Sequence, residues 1–271
     1  MPASISPAEL IDCLERGRAP LVVSVTRRER YENESRRLPG ALWRDHMKTD
    51  EWGPELARLG SLVVHCAEGH NVSQLAASRL RIAGIEARHL EGGIAAWEAA
   101  GGPVIRRHGP GIPFALEQPT IWVTRRRPKV DRIACPWLIR RFIDPLAEFH
   151  FVDPEWVTDI ADELGGQPFD IGGVHYSHRG EICTFDTMLD EFGLDVPALR
   201  RLALIVRGAD TARPDLVPEA AGLLAMSLGL SAIEDDDLVQ LEKGMNFYDA
   251  LYGWLIKASG ETHNRPVAKV S

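Results

Sequence analysis

Short apolar runs and helical stripes alternate along the first hundred residues. Leu21-Val22-Val23-Ser24-Val25 and Ser61-Leu62-Val63-Val64-His65 hold apolar stretches too short for a helix, the pattern of strands covered on both faces. Between and after them apolar residues recur at helical spacing: Leu10 and Leu14, then Val72, Leu75, Ala76, Leu80 and Ala83, then Ile94 to Ala100. The punctuation agrees. Ser6-Pro7-Ala8-Glu9 reads as a helix start, with serine as cap, proline in the first turn and Glu9 completing a capping box. Gly17, Gly84 and Gly101-Gly102-Pro103 read as stops. Ala87 to Leu90 is a short strand before a Glu91-Gly92-Gly93 turn. The charged stretch Arg27 to Arg37 has Tyr31 as its anchor and runs into a Leu38-Pro39-Gly40-Ala41 turn. Strands alternating with helices predict an α/β fold: a parallel sheet with flanking helices over residues 1–105.

The pattern then changes. Residues 106–119 are rich in glycine, proline and charge, the composition of a linker. Beyond it, Thr120 to Thr124 and Glu148 to Val152 read as strands. A helix is expected to start at Pro136 and end before Pro145, and another to run from Asp153-Pro154 to Gly165-Gly166. Phe169 to Tyr176 is expected to be extended. Thr184 to Phe192 reads as a helix capped by Thr184 and stopped by Gly193. Three more helices follow, at about 197–207, 218–229 and 236–257. The last carries Leu238, Leu241, Met245, Tyr248, Tyr252 and Leu255 on one face. Residues 120–258 are therefore expected to form a helix-rich α+β domain, and 259–271 a disordered tail.

Composition narrows the function classes. A chain of 271 residues suggests about two domains, each long enough to bury a core. The net charge of −8 argues against bulk binding of nucleic acid or an anionic membrane. The start, Met1-Pro2-Ala3-Ser4, lacks a basic segment followed by an apolar one, and the longest apolar run, Ala220 to Ile233, is too short to span a bilayer. Four unclustered cysteines, at 13, 66, 135 and 183, fit free thiols in a reducing cytoplasm.

Cys66 is the candidate nucleophile. It sits in a strand-to-helix turn, where loop and first-turn N–H groups and the positive end of a helix dipole favour a thiolate. The alternative is a buried structural cysteine, which is also the reading preferred for Cys13. The stretch Cys66-Ala67-Glu68-Gly69-His70-Asn71-Val72-Ser73 resembles the active-site loop of rhodanese-fold sulfurtransferases. The turn Leu38-Pro39-Gly40-Ala41 and the run Leu90-Glu91-Gly92-Gly93-Ile94-Ala95-Ala96-Trp97 are similar to two further blocks of that family, so the resemblance covers about residues 4–105. It implies a small domain with a central parallel sheet. It also implies a two-step sulfur transfer in which Cys66 takes a sulfane sulfur from thiosulfate or a similar donor. The amides of Ala67, Glu68, Gly69, His70, Asn71 and Val72 would cradle the persulfide, and a thiol or cyanide would accept the sulfur, with no cofactor required. Two positions depart from the family pattern. Ser24 and Thr26 stand where many members carry an Asp-x-Arg triplet, and Ala67 and Glu68 stand where many active loops carry basic residues. Glu68 beside the sulfur opposes a thiolate, so a competent but slow enzyme is expected. A phosphatase or arsenate reductase of the same fold would need a loop arginine, and none occurs between Cys66 and Arg79.

The second half resembles the ChrB-type chromate-resistance domain over about residues 120–257. The blocks are Trp122 to Trp137, Phe169-Asp170-Ile171, Cys183-Thr184-Phe185-Asp186 and Ile205 to Thr211. The resemblance implies a link to chromate, as a resistance factor or a chromate-responsive regulator. From the residues themselves, His178, Glu181, Cys183 and Asp186 are candidate ligands for a transition metal. His175 lies near them in sequence, and Asp131, Cys135 and Asp210 are candidates to join them in space. The alternative is that Cys135 and Cys183 are buried and Asp186 supports a helix N-terminus. Arg125, Arg126, Arg127, Lys129 and Arg132 are candidates to hold an oxyanion such as chromate, or else form a solvated face paired with acids. No helix-turn-helix with a basic recognition helix is evident, which disfavours DNA as a partner. Three readings therefore stand: a sulfurtransferase linked to chromate resistance, a regulatory or oxyanion- or metal-binding protein with a weak or sensory rhodanese module, and direct chromate reduction through Cys66 helped by Cys135 or Cys183.

Overall fold

A computed structural model describes residues 2–15, 20–106 and 117–261. In chain order its elements are β1 (Ser4–Ile5), α1 (Pro7–Glu15), β2 (Leu21–Ser24), α2 (Arg28–Asn33), β3 (Arg36–Arg37), β4 (Leu42–Trp43), α3 (Thr49–Ala57), β5 (Leu62–His65), α4 (Asn71–Ile82), β6 (Ala87–Leu90), α5 (Gly93–Ala99) and β7 (Ile105–Arg106). The second half holds β8 (Ile121–Arg125), α6 (Asp131–Leu138), β9 (Glu148–Val152), α7 (Val157–Leu164), β10 (Gln167–Pro168), α8 (Thr184–Phe192), α9 (Pro197–Asp210), α10 (Glu219–Ile233) and α11 (Asp237–Lys257).

The first half is the expected α/β layer structure. Five parallel strands lie in the order β1-β6-β5-β2-β4. Their apolar runs are continuous because both faces are covered. Val23, Leu62 and Val64 pack with Ala76, Ala77 and Leu80 on one side, while Val22, Val63 and Leu90 pack with Leu10, Ile94 and Trp97 on the other. From β2 the chain crosses to β4, and from β5 it returns to β6 on the opposite side. The loops after these adjacent strands therefore diverge. Such a switch point at the carboxyl ends of parallel strands opens a crevice.

In the second half β8 lies between β10 and β9, and all three strands are parallel. Trp122, Trp137, Phe169, Tyr176 and Phe185 lie in one large core with the apolar faces of α8, α9 and α11. The halves touch. Gly40, at φ +66°, donates its amide to Phe142 O at 2.6 Å, so the Pro39-Gly40-Ala41 turn is seated on the second half.

Several expectations are corrected. Pro136 does not open a helix. The helix starts at Asp131, and Pro136 sits inside it, where its ring nitrogen has no proton to give Arg132 O. One turn later the chain widens into a π-helical turn, Ile139–Ile143, closed by Asp144 N on Ile139 O at 2.8 Å. Phe169 to Tyr176 is a looped excursion closed by a bridge between its ends, not a strand. Thr184 is the first helical residue of α8, and Cys183 takes the cap position. On α4 the buried face is Ser73, Ala76, Ala77 and Leu80, with Leu75 at the surface; on α11 Leu238 is likewise exposed. Residues 42–57 carry a strand and a helix that the pattern did not announce. The proposed stop at Gly17, most of the 106–119 linker and nearly all of the 259–271 tail lie outside the described residues.

Candidate functional site

The chain leaves β5, the central strand of the first sheet, at Cys66 and enters α4 at Asn71. Cys66 lies in the wall of a pocket of about 540 Å³ at the switch point. One side is Cys66, Ala67, Glu68, His70, Asn71 and Val72; the other is Thr26, Arg27, Glu29, Arg30 and Asn33, which follow β2. The residue is largely buried, 8% exposed, and lines the pocket. The Ser73 hydroxyl lies 3.3 Å from Sγ and also donates to His70 O at 3.2 Å. Cys66 O and Ala67 O accept from the amides of Ile94 and Ala95. These bonds pin the loop against the Gly92-Gly93 turn, where both glycines have positive φ. Among the described residues, the amides from Ala67 to Val72 have no hydrogen-bond acceptor within the chain. They are left for a ligand at the sulfur. The helix behind them is 12 residues long, so its N-terminal partial charge adds to theirs.

The two departures from the family pattern are resolved by geometry. Ser24 Oγ donates to Thr26 Oγ1 at 3.2 Å, and Trp43 Nε1 donates to Thr26 O at 2.7 Å, so neutral hydrogen bonds tie down the end of β2. Glu68 is exposed and its carboxylate meets Arg30 at 3.3 Å across the pocket mouth. Across the pocket from the loop stand Arg27 and Arg30, with Glu29 between them in sequence. Neither Arg30, which lies on α2 38 residues from Glu68, nor Ser73, a serine in a helical stripe, is evident as a site residue from the sequence.

His65, the last residue of β5, is buried, and neither ring nitrogen has a hydrogen-bond partner among the described residues. Burial pushes its imidazole down to about 4. The unfolded imidazole titrates near 6.5. Above that pH neither state binds the proton; between about 6.5 and 4 only the unfolded chain does. Stability should therefore fall as pH drops through this window, by up to about 1.4 kcal/mol per pH unit. Urea midpoints at pH 5 and 7 measure the drop. His65→Leu should flatten that part of the profile, and an unchanged slope would show that other groups cause it.

A second constellation lies at the carboxyl ends of β8 and β10. Asp131 opens α6, Asp170 follows β10, Asp210 closes α9, and His178 comes from the loop between β10 and α8. His178 Nε2 is 3.5 Å from Asp131 Oδ2, 3.4 Å from Asp170 Oδ1 and 3.1 Å from Asp210 Oδ2. Asp131 is fully buried and Asp170 nearly so. Thr184 N donates to Asp131 Oδ2 at 2.6 Å, and the Thr184 hydroxyl to Asp170 Oδ1 at 2.8 Å. Arg125 and Arg132 hold Asp170 Oδ2 at 3.1 and 3.3 Å. The hydrogen bonds of Asp131 and Asp170 push the His178 imidazole up to about 10. Burial and the neighbouring Asp131 and Asp170 push Asp210 up to about 7, and burial raises Asp131 as well. Burial also opposes ionisation of Asp170, but His178, Thr184 and the two arginines outweigh it and hold its carboxyl below the usual range. The backbone is unusual beside two of these carboxylates: Val130 has φ +40° and Asp170 φ +54°.

Comparison with known proteins assigns both halves. Residues 6–100 match the family model of the rhodanese-like domain, and residues 122–255 that of the ChrB C-terminal domain. The two matched stretches follow one another along the chain. Over 137 residues it is 38% identical to Protein ChrB of Cupriavidus metallidurans, which is 48% of this chain. It spans only about two fifths (39%) of that relative's length. Among solved structures it is similar to a rhodanese-related protein from Thermoplasma volcanium, at 26% identity and a TM-score of 0.32 over 38% of this chain and 98% of that one. It is also similar to a thiosulfate sulfurtransferase from Pseudomonas aeruginosa, at 28% identity and a TM-score of 0.30 over 38% and 19% of the two chains.

Within the ChrB C-terminal domain the predicted metal set does not assemble. Of His178, Glu181, Cys183 and Asp186, only His178 reaches the carboxylate constellation, where Asp131 and Asp210 join it as anticipated and Asp170 joins unanticipated. Glu181 is exposed. Cys183 is buried, its thiol pushed well up by burial, and Sγ lies 3.2 Å from Asp186 Oδ2. Asp186 accepts the Cys183 amide and a two-point contact from Arg207 at 2.8 and 3.0 Å, so it caps α8 and pairs with an arginine. Cys135 is buried in the core, and His175 pairs with Glu191. Because Asp186 is only 7% exposed, Arg207→Ala should leave a buried charge uncompensated and cost roughly 3 kcal/mol. A urea midpoint equal to that of the wild type would contradict this.

The basic cluster does not converge either. Arg125 and Arg132 hold Asp170, Arg126 meets Asp153 at 2.6 Å, and Arg127 is spent on Asp235 and the carbonyls of Ser231 and Glu234. Lys129 is half-buried beside them. These cations form paired surface and structural contacts rather than one cradle.

Proposed function

We propose that the chain is a rhodanese-type sulfurtransferase that carries a persulfide on Cys66 and whose ChrB C-terminal domain ties it to chromate resistance. One observation carries the reading: a pocket-facing sulfur sits at the rim of a loop whose successive amides are unspent, at the N-terminus of α4. The Cys66 thiolate attacks the outer sulfur of thiosulfate. The sulfur–sulfur bond breaks, sulfite leaves with its electron pair, and Cys66 holds a persulfide. The amides of residues 67–72 stabilise the terminal sulfur anion. Arg27 lines the pocket and can meet an anionic donor there, while Arg30 neutralises Glu68. A thiol or cyanide then attacks the terminal sulfur and releases the Cys66 thiolate. Among the described residues no helix is long and apolar enough to cross a membrane. All four cysteines are free, which fits a reducing compartment and a cytoplasmic site of action.

Intact mass after thiosulfate treatment tests this reading. A gain of one sulfur atom on Cys66, removed by cyanide, is expected; a folded protein that gains none overturns it. The similarity to Protein ChrB favours a second reading, in which the persulfide or thiol state of Cys66 reports to a chromate-responsive regulator. Gel shift with operator DNA, with and without chromate, separates the two.

A further inference from the structure

We propose that Asp131, Asp170 and His178, with Asp210 beside the imidazole, form a binding site for one divalent first-row transition ion, of the manganese, iron(II) or zinc class, in the second half of the chain. The inference is independent of sulfur transfer at Cys66.

The geometry around one atom makes the case. Three carboxylate oxygens, from three separate segments of chain, lie 3.1 to 3.5 Å from the same imidazole nitrogen, His178 Nε2. A protonated imidazole has one N–H there and directs it along one line, so it cannot bond well to three acceptors at once. A cation held by Asp131, Asp170 and His178, with Asp210 beside the imidazole, can. Ligands about 2.1 Å from a metal at tetrahedral angles lie about 3.4 Å from one another, and the three distances to His178 Nε2 are of that size. The facing atoms of Asp131, Asp170 and His178 all fall within 4.8 Å of one another.

The charge balance points the same way. Asp170 is compensated by Arg125 and Arg132. Asp131, fully buried, has only the Thr184 amide and the imidazole on Oδ2, and its Oδ1 is buried with no hydrogen-bond partner among the described residues. Asp210 rests on the same imidazole and on the Asp131 amide at 3.5 Å. Burying an acceptor unsatisfied costs stability unless a cation or a donor reaches it. Three carboxylates with one imidazole are a mixed oxygen–nitrogen set, suited to manganese, iron(II) or zinc rather than to the softer thiolate-bound metals. The hydroxyl and amide of Thr184 and the two arginines orient the carboxylates from outside, as supporting groups do around metal ligands. His178, half-exposed, gives the ion a way in.

The test uses the full chain, stripped with a chelator and then dialysed against manganese(II) or zinc(II) in turn. Elemental analysis should return about one ion per chain. His178→Ala and Asp210→Asn should each weaken binding at least about tenfold, whereas Glu181→Ala should leave it unchanged. Electron spin-echo spectra of the manganese form should show an imidazole nitrogen that His178→Ala removes. Circular dichroism and melting without metal confirm that each variant is folded. A folded wild-type chain that retains neither ion overturns the proposal. So does retention that is equal in His178→Ala and Asp210→Asn, because the ion would then sit elsewhere.

Discussion

Cys66→Ser is expected to reduce thiosulfate-dependent sulfur transfer to background while leaving the fold and melting temperature close to those of the wild type. The reason is that no other thiol can take over. Cys135 and Cys183 are wholly buried in the second core, with thiols pushed well above their usual range by burial. Cys13 is half-buried on α1, which follows the edge strand β1, and does not line the pocket. A serine oxygen fits the same space and can still meet the Ser73 hydroxyl, so little stability should change. It would be a poor nucleophile without an adjacent general base. The measurement is sulfite release and intact mass with thiosulfate in parallel for Cys66→Ser, Cys135→Ser and the wild type. Persisting turnover in Cys66→Ser would remove the cysteine from the mechanism. A loss in Cys135→Ser alone would move the chemistry to the other half.

Gly93→Ala should cost about a hundredfold in kcat/KM although Gly93 touches no substrate. Gly93 has φ +60°, and a Cβ there would lie 2.2 Å from Cys66 O, 2.6 Å from Gly69 N and 2.8 Å from Ala67 C. All three are backbone atoms of the loop, so no side chain can rotate away. The loop or the start of α5 must shift, and the amides of Ile94 and Ala95 lose their hold on Cys66 O and Ala67 O. A displacement on the order of 1 Å at reacting atoms is worth about a hundredfold in rate. Gly84→Ala provides the control. Gly84 has φ +81° but nothing within 4 Å of a Cβ, so it carries the backbone strain without the collision. It should lose about 1 kcal/mol of stability and keep full activity. Equal activity in the two variants would mean that the Gly92-Gly93 turn does not set the loop.

The same glycines explain why so much of the first domain was legible. A cysteine after an apolar strand, a glycine three positions later and a paired glycine opening another helix are local needs of backbone geometry. Each leaves a mark at a fixed offset in the chain. The parallel sheet was legible for a similar reason, since strands buried on both faces must be continuously apolar and helices must cover them. Reading failed where burial is not apolar. Ser73 is buried against Sγ, and its polarity placed it on the wrong side of α4, with Leu75 inside in its stead. Pro136 was read as a helix start because proline favours first turns, but packing of the surrounding residues, buried almost throughout α6, holds it inside the helix.

By itself the sequence determined the α/β class of the first half and the helix-rich character of the second. These follow from periodicity and turn chemistry, which act over a few residues. Only the tertiary structure decided what surrounds each functional group. It brought Arg30 to Glu68 from 38 residues away, turned the expected ligands Cys183 and Asp186 into core and cap, and gathered Asp131, Asp170, His178 and Asp210 around one nitrogen. Those groups lie at strand and helix ends far apart in the chain. Their meeting is fixed by how the strands cross over and the helices pack, and no spacing along the chain records it.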